Sequence, residues 1–155
     1  MNNKWILLLI ISFASLLVIG SVSASDLTVR DFDNHFSMKT PKGVSFQKEE
    51  QPSNDEIESI NIIYSSENLA MVYMDSPVFS QNSSVAFVQQ MFESSVADLN
   101  ECYEIQDGNV EILKPKTVDD THPAIAAVST GSKMLFIMGS DFDSLKEMAH
   151  SVKFK

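Results

Sequence analysis

The sequence predicts an α+β fold in which a central antiparallel sheet, built from hairpins, carries a helix packed on each face. Three observations predict it. Short strand-like runs come in pairs around turn residues, and two stretches, 85–99 and 142–152, place apolar residues at three- and four-residue spacing. The runs Ala124–Val128 and Met134–Met138 are apolar on both faces, so the strands they form lie centrally and need cover on both sides.

The elements follow in chain order. Residues 1–24 read as an export segment: Lys4 supplies a short positive region, Trp5–Gly20 an apolar run, and Val22 and Ala24 the small residues of a cleavage site. The run falls short of the roughly 18–20 apolar residues that cross a bilayer comfortably. A signal peptide cleaved after Ala24 is therefore expected, with an uncleaved signal-anchor as the alternative. Either way Lys4 stays inside and Asp26, Asp31 and Asp33 lie outside. Residues 25–35 read as a polar connector, and residues 36–155 as a single domain. Phe36–Lys39 and Val44–Gln47 flank Thr40-Pro41-Lys42-Gly43, a type I turn signal that predicts a hairpin. Lys48–Asp55 has no periodicity and reads as a solvated loop. Glu58–Tyr64 and Leu69–Met74 form the next strand pair.

Asp75–Asn82 reads as a loop. Ser83 or Ser84 then caps a helix to about Asn100, with Val85, Val88, Met91, Phe92, Val96 and Leu99 on one side. Cys102–Gln106 and Asn109–Leu113 bracket Asp107-Gly108, a two-residue hairpin turn. Lys114–Pro123 reads as a charged loop, and Gly131-Ser132 turns the two apolar strands into a hairpin. Ser140 caps a last helix whose Phe142, Leu145, Ala149 and Val152 share one side.

Composition excludes more than it selects. The formal net charge is −10 and Arg30 is the sole arginine, so a phosphate backbone is repelled and the bidentate readers of nucleic acids are missing. Cys102 is the only cysteine, which rules out an internal disulfide and points to an inert, partly buried thiol. The methionines, among them Met71, Met74, Met91, Met134, Met138 and Met148, fall mostly on core positions as adaptable filler.

The residues that bear chemistry form weak patterns. Asp31-x-Asp33-x-His35 would aim three ligands to one side of an extended strand, yet such alternation is ordinary on a polar strand edge. Asp119-Asp120-Thr121-His122 offers carboxylates and an imidazole in one loop, without a geometry that adjacency can establish. His150, near the end of the last helix, suits the helix dipole. Ser45-Phe46-Gln47-Lys48 has the spacing of penicillin-recognising enzymes, but neither companion motif accompanies it, and Thr130–Lys133 reads as a turn. Asn82-Ser83-Ser84 is a glycosylation sequon. Phe79 is expected to fold back on the core, and Tyr103 stands at a strand start. No catalytic, cofactor-binding or metal-ligating residue is assigned from these patterns, and no cofactor is expected.

Phe36-Ser-Met-Lys-Thr-Pro41-Lys-Gly43-Val-Ser-Phe46 resembles the opening of domains similar to photosystem II oxygen-evolving protein P (PsbP) and the Ran-binding protein Mog1. His122-Pro123-Ala124 and the closing Leu145–Phe154 are similar to the same PsbP/Mog1-like family. The resemblance implies a three-layer fold over Phe36–Phe154 and a role in binding, because the family includes extrinsic subunits of membrane complexes and protein binders. The expected function is a non-catalytic protein-interaction or ligand-binding module at the cell envelope. Its partner would be an envelope or extracellular protein, and it would touch the membrane only through the N-terminal segment, if that is uncleaved. The alternative is a small exported metal-dependent protein or hydrolase that uses the Asp31–His35 or Asp119–His122 groups.

Overall fold

The computed structural model of the chain describes residues 26–52, 59–77, 79, 102–118 and 123–155. They hold ten strands and one helix. In chain order these are β1 (Leu27–Phe32), β2 (Phe36–Pro41), β3 (Gln47–Gln51), β4 (Ile60–Ser65), β5 (Leu69–Asp75), β6 (Cys102–Asp107), β7 (Val110–Pro115), β8 (Ala124–Thr130), β9 (Lys133–Gly139), α1 (Phe142–His150) and β10 (Lys153–Phe154). The large antiparallel sheet runs β3-β4-β5-β9-β8-β7-β6, and a small one runs β1-β2-β10. Two meanders meet at the β5–β9 seam, where Leu69 lies opposite Gly139 and Asp75 opposite Lys133. From β5 at the centre, the chain returns at β6 on the far edge, beyond β9, β8 and β7.

The α+β expectation of a helix on each face is therefore overturned. The molecule is mostly β, with two antiparallel sheets and a single short helix among the described residues. Geometry gives the reason on the first face. Nine residues of helix extend about 13 Å at 1.5 Å per residue, whereas seven strands at 4.8 Å spacing span about 29 Å. The helix packs on β7, β8 and β9 and meets β2 at its side. The small sheet covers the neighbouring ground, where Phe36 packs against Tyr64 and Tyr73 at ring distances of 5.8 and 5.6 Å. Phe32, Phe36, Met38, Leu145 and Met148 join the inward residues of the large sheet in one core. On the second face Ile63, Val72, Met74, Phe79, Ile125 and Phe136 form another. β8 and β9 are buried on both faces, as their unbroken apolar sequence requires. The helix expected over 83–100 lies outside the described residues.

Three local expectations change as well. Residues 25–35, read as a connector, contain β1 and the turn that joins it to β2. Asp33 and Asn34 both take positive φ, 52° and 61°, and the His35 N–H donates to the Phe32 carbonyl at 2.9 Å. Asp and Asn are the non-glycine residues that tolerate this region best, so the dipeptide marks the turn. Second, Thr40–Gly43 turns the chain but closes no hairpin: β2 pairs with β1 and β10, and β3 pairs with β4 in the other sheet. Gly43 has φ 80°, and the Lys42 N–H donates back to the Asp26 carbonyl at 2.9 Å. Third, β3 occupies part of the expected solvated loop. Its exposed Lys48, Glu49 and Glu50 make a charged edge strand, which sequence alternation alone does not reveal.

The β6–β7 hairpin forms where expected, but its turn is centred on Gly108-Asn109, with Asp107 opposite Val110 and Gly108 at φ 62°. Gly131 takes φ 53° in the β8–β9 turn. α1 is capped one residue later than expected: the Asp141 carboxylate accepts from the Ser144 N–H at 3.1 Å. Leu145, Met148 and Ala149 are buried as their spacing predicts.

Candidate functional site

The Asp31-x-Asp33-x-His35 residues sit around the β1–β2 turn, and the fold sends each to a different partner. Asp31 accepts from the Asn34 N–H at 3.0 Å and pairs with the Lys155 ammonium. Asp33 pairs with Lys48 at 3.1 Å and accepts from the Tyr64 hydroxyl at 3.0 Å. The His35 ring instead stacks on Tyr73, with centroids 5.0 Å apart. Lys155 holds the Asp31 carboxyl below its usual range, and Lys48, with Tyr64, does the same for Asp33. These are the contacts of a stapled turn. Among the described residues no three His, Cys, Asp or Glu side chains gather as a metal would need.

The remaining sequence candidates separate in the same way. Lys48 of the Ser45–Lys48 pattern is shared between Asp33 and Glu50, the latter at 2.6 Å. In the Thr130–Lys133 turn the Ser132 hydroxyl donates to Asp75 at 2.6 Å, and the Ser132 carbonyl accepts from the Ser76 N–H at 2.9 Å. Phe79 folds back into the second core, as expected. Asp119–His122 and the sequon at Asn82 lie outside the described residues, as does the Cys102 side chain. Met71, Met74, Met134, Met138 and Met148 are all buried filler, and Met91 is outside the description.

Two features escape the sequence reading. The first is a buried acid. Glu111 lies mid-strand in β7, 5% exposed, on the second face of the sheet beside Ala127. It shares that face with Glu104 of the neighbouring strand β6, and its Oε1 is buried without a hydrogen-bond partner. Burial, reinforced by Glu104, pushes Glu111 up to about 7. Its sequence signal is a carboxylate inside the apolar string Val110-Glu111-Ile112-Leu113. The second is a set of exposed apolar side chains at strand margins. Val29 is 72% exposed on β1, Ile60 44% at the start of β4, and Tyr103 58% on β6. β1 and β6 are sheet edges, and Ile60 projects past the end of β3, whose pairing stops at Asn61. Such margins accept an added strand or an apolar contact.

No protein-family model, no curated protein and no solved structure matches the chain. Among the described residues no helix is long and apolar enough to cross a membrane, and the apolar run Trp5–Gly20 lies outside them.

Proposed function

We propose that the chain is exported and acts outside the membrane as a non-catalytic protein-interaction module. The observation that carries this reading is the placing of Val29, Ile60 and Tyr103 at strand margins while the other large apolar side chains among the described residues are at least partly buried. An exposed apolar residue on an unpaired edge costs solubility and invites pairing, so Val29 and Tyr103 on edge strands, with Ile60 past the end of β3, favour surfaces covered by a partner. The export pattern of residues 1–24 supplies the compartment. The PsbP/Mog1-like resemblance points the same way, through the binding roles that family includes.

The test is to place a photo-reactive side chain at Val29, Ile60 or Tyr103, with exposed Glu67 as the control. Intact cells are irradiated and the tagged protein is identified with its adducts by mass spectrometry. Capture of one envelope or extracellular protein from a margin position, and not from Glu67, supports the reading. Recovery of intact protein with no adduct from any margin position overturns it. The amino-terminal peptide in the same sample reports whether Ala24 is a cleavage site.

A further inference from the structure

The β6–β7 hairpin is the outer edge of the large sheet, and beyond the β7–β8 ladder and the burial of Val110, Ile112 and Leu113, two polar contacts touch it, one on each side. Each of them needs a proton. On the side facing α1, His150 Nδ1 lies 2.8 Å from the Lys146 carbonyl oxygen and Nε2 lies 2.9 Å from Asp107 Oδ2. A carbonyl and a carboxylate only accept hydrogen bonds, so both ring nitrogens must donate and the ring is the imidazolium. On the opposite side the buried Glu111 carboxyl shares one face of the strand pair with the Glu104 carboxyl, Glu111 lying opposite Gln106 and Glu104 opposite Leu113. Two such carboxyl groups escape repulsion when one of them holds a proton, and the buried Glu111 is the one that tolerates charge least.

On the face of Glu111, β6 presents Glu104 and Gln106, while β8 presents Ile125, Ala127 and Ser129. Around His150, Lys39 of β2 is engaged with Glu147 at 2.7 Å, and the Lys114 ammonium of β7 lies over the Phe142 ring at 4.1 Å. Of the charges that meet the imidazole, Asp107 favours its proton and the Lys146 ammonium, one helical turn back, opposes it.

We propose that the β6–β7 hairpin is a proton-operated latch, closed on α1 and on the sheet while His150 and Glu111 are protonated and released when they are not. The two groups work with one sign. Glu111 titrates at about 7 instead of 4.5, so its contribution is complete below 4.5 and is lost as pH rises through 7. The Lys146 carbonyl and Asp107 raise His150 above 6.5, so the clasp is complete below 6.5 and is lost as pH rises through that higher value. Release loosens the strand that presents Tyr103, so acidity governs one of the exposed margins.

Hydrogen–deuterium exchange on the full chain at about pH 5.5 and about pH 8, corrected for intrinsic exchange rates, tests the latch. Protection of Cys102–Pro115 is expected to fall by about tenfold or more at the higher pH, with Leu69–Asp75 and Lys133–Gly139 changing far less. Glu111→Gln is neutral at any pH and is expected to keep most of that protection at about pH 8. An equal change across the whole sheet, or none in the hairpin, overturns the proposal. If the variant does not fold, NMR titration of the unmodified chain decides: a Glu111 carboxyl titrating at its ordinary value also overturns it.

Discussion

Arg30 shows how a single residue can mislead a reading by composition. Its isolation in the sequence argues against phosphate recognition, yet the fold gives it a structural task. The guanidinium lies over Phe46 at 5.0 Å and Phe32 at 5.7 Å, and it donates to the Val44 carbonyl at 2.7 Å. It thereby bolts the edge of the small sheet to the approach of β3. Arg30→Lys keeps the charge but loses the planar stack, and urea denaturation is expected to show a loss of about 0.5–1 kcal/mol. Phe36 is the opposite case, wholly buried, stacked on Phe32 at 4.7 Å and packed against both core tyrosines. Phe36→Ala is expected to cost about 3–5 kcal/mol in the same measurement, enough to unfold a marginal domain. The burial of Phe36 and Leu145 is legible in periodicity. The burial of Glu111 is not, because a charged residue on an alternating strand reads as solvent-facing until the cover of that face is known.

At the scale of elements, legibility follows locality. The β4–β5, β6–β7 and β8–β9 hairpins and α1 are set by neighbouring residues, and each forms close to its expected place. What depended on distant partners was misread. β1, Leu27-Thr-Val-Arg-Asp-Phe32, mixes apolar and polar side chains without strict alternation and becomes a strand through pairing with β2. The Thr40–Gly43 turn has the right residues for a hairpin, but nothing local says that its two flanks enter different sheets. The cap of α1 offers a clean test of a local determinant. Asp141→Ala removes the acceptor for the Ser144 N–H, and the loss is expected to be about 0.5–2 kcal/mol by thermal or urea unfolding. Asp141→Asn, which keeps an acceptor, is expected to recover most of it.

The whole molecule carries opposed responses to pH at its two ends. Asp31 and Asp33 have carboxyl groups held below 3.8, so their ion pairs contribute fully above that value and are lost as pH falls through the lowered one. Glu111 and His150 lose their contributions as pH rises. Stability is expected to peak at about pH 4–5, on the acid side of the common range, as read from urea midpoints across pH. The double change Asp31→Asn with Asp33→Asn is expected to flatten the acid limb and leave the alkaline limb in place. The candidate margins, like this pH behaviour, follow from tertiary placement, since Val29 and Tyr103 stand exposed because β1 and β6 end their sheets. The β5–β9 seam has a consequence for the chain while it is being made. β5 is apolar on both faces, and its second neighbour is supplied only when Lys133–Gly139 has been synthesised. Until then a growing chain carries a strand paired with β4 on one side and open, adhesive on the other, with the slow closure that distant pairing imposes. Such a nascent chain is a natural client for a holding chaperone, and its yield should depend more on that protection than on the stability of the finished fold.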